Sequence, residues 1–119
     1  MAKILLVDDE EAILKMYGNA LGEHDVLTAK NGDDAFEKAS KDMPDLILMD
    51  LIMPKENGLD VLKKLKEDEN TKGIPVIVLT NLPEEASAEK AKSLGASGYL
   101  VKAEYDPTTL VKKVEEMLK

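Results

Sequence analysis

Three aspartates, a threonine and a lysine stand at the ends of short apolar stretches. Asp8 and Asp9 follow "KILLV", Asp50 follows "LILM", Thr80 closes "VIVLT" and Lys102 follows "GYLV". The stretch "ILLVDDEEA" runs an apolar segment straight into four consecutive carboxylates, Asp8, Asp9, Glu10 and Glu11. A loop that holds phosphate directly is usually glycine-rich and offers backbone N–H groups; this one offers negative charge. If the segments lie side by side, three carboxylates, a hydroxyl and an ammonium meet in one crevice. Two carboxylates about 4 Å apart repel by about 4 kcal/mol at an effective dielectric of about 20. The N-terminus of a following helix offsets only about 0.3–1 kcal/mol of that. A hard divalent cation removes the deficit, and an all-oxygen set with positions left open for water and phosphate suits Mg²⁺. Lys102 then supplies a movable point charge and Thr80 a hydroxyl donor, completing a socket for a phosphoryl group. Taken singly, each residue has a plainer use: Asp8 or Asp9 as a helix N-cap, Asp50 before a turn, Thr80 in a strand, Lys102 in solvent. Their joint occurrence at separate segment ends carries the reading.

The elements that must position them are five apolar runs, at 3–7, 25–29, 46–49, 76–80 and 98–101, alternating with five helix-like stretches. Three runs are continuously apolar and rich in branched side chains, which suits strands covered on both faces of a parallel sheet. Apolar residues recur at helical spacing between them: Ile13, Met16, Tyr17, Ala20 and Leu21; Ala35, Phe36 and Ala39; Leu59, Leu62 and Leu65; Ala88, Ala91 and Leu94; and Leu110, Val111, Val114, Met117 and Leu118. Gly22, "NGDD" at 31–34 and Gly95 punctuate the series, and Asp106 reads as an N-cap with Pro107 at the first helical position. Strict β–α alternation implies right-handed crossovers and a sheet sandwiched by helices, with the site at the carboxyl ends of the strands. The expected organisation is one α/β domain over 1–119, with nothing left over for an output segment.

Composition narrows the function. A net charge of −8 argues against direct nucleic-acid binding and against anionic membranes. Zero cysteines exclude disulfides and Cys-ligated metals and fit a cytoplasmic location. The sequence holds no apolar run of the roughly 18 residues that would suggest a membrane span. One Phe and three Tyr leave few rings to stack on a cofactor, and a single histidine, His24, leaves no His cluster or catalytic triad. His24 reads as a solvated turn residue, the six methionines as core, and "KKLKEDEN" (63–70) as a solvated helix face.

At this point the chain resembles the receiver domain of two-component response regulators, a family that includes chemotaxis-type single-domain regulators. "LLVDDE" is similar to its acidic pair. "DLILMDLIMPKENGLDVLKKLK" carries its spacing of Asp50, Met53, Pro54 and Gly58. "VIVLT" ends in its hydroxyl residue, Thr80, and "LGASGYLVK" holds its switch aromatic, Tyr99, and its lysine, Lys102. The resemblance implies a doubly wound, flavodoxin-like (βα)5 parallel sheet with strand order 2-1-3-4-5. It implies that Asp50 accepts a phosphoryl group from a phosphohistidine on a partner histidine kinase or phosphotransfer protein. Asp9 and Asp50 would bind Mg²⁺ directly, Asp8 through water, and the Ile52 carbonyl would be a further ligand. Thr80 and Lys102 would each hold a phosphoryl oxygen.

The chemistry agrees with these roles, since phosphoryl transfer needs in-line positioning and charge cancellation more than covalent assistance. The resemblance also implies a switch. Thr80 moves toward the phosphoryl group, Tyr99 turns inward, and the face of the fourth helix, fifth strand and fifth helix changes for an unidentified downstream protein. That face would include Leu82, Ala86, Lys90, Tyr99 and Tyr105. One departure stands out: Ala103 follows Lys102 where the family usually has proline, so a trans bond is expected there. The protein is expected to be a signalling switch that catalyses only its own phosphorylation and dephosphorylation. The alternatives are a metal-dependent phosphohydrolase and a flavodoxin-like small-molecule binder. Lys102→Ala is expected to leave Mg²⁺ binding near normal.

Overall fold

A computed structural model describes residues 2–53 and 56–118, with only the backbone described at Glu84 and Ala86. Pro54 of the quoted motif and the Ala86 side chain therefore lie outside the described residues. The five apolar runs form strands with the expected bounds: β1 (Lys3–Val7), β2 (Asp25–Ala29), β3 (Leu46–Met49), β6 (Val76–Thr80) and β7 (Gly98–Val101). They pair in parallel in the order β2-β1-β3-β6-β7, which is 2-1-3-4-5 counted along the main sheet. This is the doubly wound flavodoxin-like fold. β3 and β6 are buried at every residue, as continuous apolar strands between two helical layers must be. The edge strand β2 keeps Asp25 and Thr28 exposed.

The helices are α1 (Glu11–Ala20), α2 (Gly32–Asp42), α3 (Gly58–Glu67), α4 (Glu84–Ser93) and α5 (Pro107–Leu118). Their apolar stripes divide the core in two. One layer packs α2, α3 and α4 residues such as Ala39, Leu62 and Ala91 against Leu5, Ile47 and Val78. The other packs Leu14, Tyr17, Leu110 and Val114 of α1 and α5 against Ile4, Leu6, Leu48 and Ile77. The alternation of Leu5 and Leu6 between layers follows from the two-residue period of a strand. Asp106 accepts from the Thr109 N–H at 2.8 Å as the N-cap of α5, with Pro107 first in the helix.

Two elements lie outside the alternation: a short antiparallel hairpin, β4 (Ile52–Met53) with β5 (Glu56–Asn57), and a 3-10 turn at Lys102–Glu104. No cis peptide bond occurs among the described residues, as expected at Ala103. Three side chains depart from expectation. Met16 and Met43 are 40% and 52% exposed instead of core; α1 buries Leu14 and Tyr17, which places Met16 off the apolar stripe. His24 is not solvated: its Nδ1 accepts from the Ala2 N–H at 3.1 Å and its Nε2 lies 3.4 Å from Glu115.

Candidate functional site

The parallel ladder continues one residue past the strand ends, and this fixes the two central acids. Asp8 N–H donates to the Ala29 carbonyl and Asp50 N–H to the Val7 carbonyl, both at 3.0 Å. Each side chain then folds onto the chain ahead of it. Asp8 Oδ1 accepts from Glu10 N–H at 2.9 Å, and Asp50 Oδ1 accepts from Ile52 N–H at 3.1 Å. Each of these local bonds uses one oxygen only, and neither caps α1, whose N-cap is Glu10. The second oxygens face inward, where Lys102 Nζ donates to Asp8 Oδ2 at 2.5 Å and to Asp50 Oδ2 at 2.7 Å. Asp8, Asp50 and Lys102 are each buried. Burial works against the lysine charge, but hydrogen bonds to Asp50 and Asp8, with their Coulomb attraction, outweigh it and raise the Lys102 pKa above its ordinary value of 10.5.

Asp9, more exposed than the other two, completes a cluster in which one carboxylate oxygen each from Asp8, Asp9 and Asp50 lies within 4.8 Å of the others. Three carboxylates and one ammonium leave two net negative charges around an all-oxygen donor set. That donor chemistry fits a hard divalent cation such as Mg²⁺. The open groove beside the cluster is lined by Asp9, Glu10, Asp50, Ile52, Met53, Asn81 and Lys102. Ile52 sits at its lip, 55% exposed. Its loop is closed tightly: Gly58 N–H donates to the Leu51 carbonyl at 2.9 Å. A Cβ at Gly58 would lie 2.4 Å from Leu51 Cα and 2.8 Å from the Asp50 carbonyl oxygen, so only glycine admits this closure.

Thr80 is fully buried at the end of β6, and its Oγ1 accepts from Leu82 N–H at 3.4 Å. The groove lining is Asn81, the next residue, and not Thr80. Tyr99 on β7 is 8% exposed and packs in the core layer of α3 and α4. Its hydroxyl donates to the Leu82 carbonyl at 3.1 Å, tying the strand to the loop after Thr80. A larger open groove on the α4–β7 side is lined by Glu85, Glu89, Lys92, Tyr99, Glu104 and Tyr105, among others. Leu82 is half-buried and Lys90 exposed.

Sequence reasoning missed three neighbours of the site. Tyr17, assigned to the α1 stripe, sits with Asp8 and Asp50 around a small internal cavity. Its phenol pKa is raised by burial, with Lys102 lowering it and Asp8 raising it. Asn81 could have been found as the residue following the Thr80 strand end. Glu56 gave no local signal.

A parallel sheet of order 2-1-3-4-5 with an acidic pocket at the carboxyl ends of its central strands defines a class of doubly wound α/β domain. The family model described as "Response regulator receiver domain" matches residues 4–115, and the chain belongs to that family. It is 38% identical to protein PilH of Pseudomonas aeruginosa over 125 residues, covering 99% of this chain and 98% of PilH. Its structure matches chemotaxis protein CheY4 of Vibrio cholerae with a TM-score of 0.89 at 34% identity, covering 98% of each chain. It also matches the Mn(2+)-bound form of response regulator Rcp1, with a TM-score of 0.82 at 29% identity, covering 98% of this chain and 93% of that one. Receiver domains of this kind are signalling switches in two-component systems, not classical enzymes.

Proposed function

We propose that the chain is a phospho-acceptor switch in which Asp50 takes a phosphoryl group from the phosphohistidine of a partner histidine kinase or phosphotransfer protein. The observation that carries this is the convergence at Asp50: Asp8 and Asp9 oxygens within 4.8 Å and the Lys102 ammonium at 2.7 Å. In the transfer an Asp50 oxygen forms the new bond to phosphorus, the donor N–P bond breaks, and the donor nitrogen takes up a proton. Asp8, Asp9, Asp50 and the Ile52 carbonyl would hold Mg²⁺, which supplies charge neutralisation so that an anionic carboxylate and an anionic phosphoryl group can approach. Metal binding in the related Rcp1 structure supports a divalent ion in this fold.

Lys102 carries a charge that can swing from the two carboxylates to a phosphoryl oxygen. Thr80 stands one residue before Asn81 at the groove and would supply a hydroxyl donor. The Tyr99 hydroxyl bond to the Leu82 carbonyl couples that loop to β7. Displacement of the Thr80 loop would therefore be felt at the α4–β7–α5 face, where a downstream protein would dock. Such a shift goes only as far as the phosphoryl group favours one packing over the other. No helix among the described residues is long and apolar enough to cross a membrane, and the cytoplasm is the compartment this partnership requires.

The test is incubation with a small phosphodonor and Mg²⁺, read by intact mass, for wild type and Asp50→Ala. One phosphoryl group on wild type and none on the variant is the expected result. Phosphorylation retained by the variant removes Asp50 from its role, and multiple turnover of small phosphate esters would assign the site to a phosphohydrolase instead.

A further inference from the structure

Glu56 lies on β5, in the loop that follows Asp50, yet its side chain leaves that loop. Its Oε1 accepts a hydrogen bond from the Gly32 N–H, the first amide of α2, 24 residues away in sequence. That amide is one of the orphan donors every helix start presents. The Asn31 side chain already serves a different one, accepting from Asp34 N–H at 2.8 Å. The fit depends on glycine: a Cβ at Gly32 would lie 2.5 Å from Glu56 Oε2 and 2.6 Å from Val61 Cγ2. The first turn of α2 already carries Asp33 and Asp34. Glu56 brings a third carboxylate to this helix start, where the dipole favours negative charge and the amide hydrogen bond fixes its position.

We propose that Glu56 is a positioning residue for the phospho-acceptor site, holding the loop that carries Asp50 and Ile52 against the start of α2. The inference rests on the role of Asp50 given above. Among the described residues between Asp50 and α3, the loop is anchored in three ways. Met53 is buried in the core. Asn57 and Gly58 close onto α3 and Leu51, through Asn57 Oδ1 to Leu59 N–H at 2.9 Å and Gly58 N–H to the Leu51 carbonyl. Among the described residues of this loop, Glu56 is the one whose side chain hydrogen-bonds to a different helix, α2. In the hairpin register Met53 faces Glu56 and Ile52 faces Asn57. A shift of Glu56 is therefore passed across the ladder to the strand whose Ile52 N–H holds Asp50 Oδ1. Supports outside the ligand set can orient a metal site without touching it.

The test uses protein labelled with 15N at glycine, whose 7 amides give a sparse spectrum, titrated with Mg²⁺ alone. In wild type the Gly32 amide proton should resonate well downfield because it is bonded to a carboxylate, and Glu56→Ala should move it upfield. The same variant should bind Mg²⁺ about tenfold more weakly, as loss of an outer-shell partner does at metal sites. Glu56→Gln keeps the acceptor oxygen and should restore binding to within about threefold of wild type. Asn57→Ala loosens the same loop at its α3 end and leaves the Gly32 amide in place. Mg²⁺ affinity in Glu56→Ala equal to wild type overturns the proposal. So does Glu56→Gln as weak as the alanine variant, which would assign the effect to charge. An equal loss in Asn57→Ala overturns it as well, since any loosening would then suffice. Wild type that binds Mg²⁺ but takes no phosphoryl group on Asp50 would defeat the phospho-acceptor reading and leave this comparison intact.

Discussion

Replacing Lys102 by methionine keeps the length of the side chain and deletes its charge. The ammonium now bridges Asp8 at 2.5 Å and Asp50 at 2.7 Å, and the three side chains are 7%, 6% and 8% exposed. At such burial solvent screening is weak, so the two acids left behind face each other without a counter-charge. Removing one member of a buried ion pair costs about 3–5 kcal/mol. Unfolding entropy of about 2.1 cal/mol/K per residue converts this, for a chain of 119 residues, to about 4 °C of melting temperature per kcal/mol. Lys102→Met should therefore melt about 12–20 °C below wild type near neutral pH without divalent ions.

The same deletion acts oppositely on metal. With the competing cation gone, a divalent ion faces three net negative charges where it faced two. Mg²⁺ should bind the variant at least about tenfold more tightly, a difference of about 1.4 kcal/mol, and should restore much of the lost melting temperature. Thermal melts with and without Mg²⁺, and titrations followed by tyrosine fluorescence, read both effects. The bridge to both acids leads to a different expectation from the sequence alone, on which Lys102→Ala leaves metal binding near normal. A variant that melts within about 2 °C of wild type, or that binds Mg²⁺ no more tightly, would refute the reasoning.

Two further outcomes follow from the geometry. Because the Lys102 pKa is raised in the folded protein, its contribution is fully present below 10.5 and is lost only as pH rises through the higher folded value. The difference in urea midpoint between wild type and Lys102→Met should accordingly stay constant up to that point and shrink above it. Gly58→Ala puts a methyl against the backbone of Asp50 and Leu51; the loop must shift, costing about 1–3 kcal/mol, and Mg²⁺ affinity should fall with the urea midpoint.

The main sheet was legible because its strands are buried on both faces, so that "LILM" and "VIVLT" needed no periodicity to be read. The hairpin at 52–57 was not, because two-residue strands carry no pattern and their pairing depends on closure through Gly58. Met16 was misplaced because "ILKMY" offers apolar residues on more than one helical face, and packing against β1 and α5 chose Leu14 and Tyr17. His24 took its partners from Ala2 and Glu115, which no local spacing connects. At the site, residue types at successive strand ends revealed which groups meet, since a parallel sheet aligns those ends. They did not reveal that Lys102 engages two acids at once, nor that Glu56 spans from one helix start to another loop. Both depend on where long side chains reach after the sheet has formed.

That reach decides how one pocket serves both the fold and the chemistry. Without Lys102 the three aspartates would carry three negative charges into a largely buried space, and the fold would bear the repulsion. With Lys102 fixed permanently between them by further bonds, no positive charge would be free for a phosphoryl oxygen. The ammonium hydrogen-bonds to Asp8 and Asp50, and the 3-10 turn at Lys102–Glu104 sets the backbone from which its flexible stem extends. In the proposed switch a divalent cation held by the carboxylates would weaken their hold on the lysine, so metal binding and the readiness of Lys102 for a phosphoryl oxygen would be coupled through charge balance. The coupling is reciprocal, as linkage requires: whatever draws Lys102 away from Asp8 and Asp50 must tighten the cation, and by the same factor.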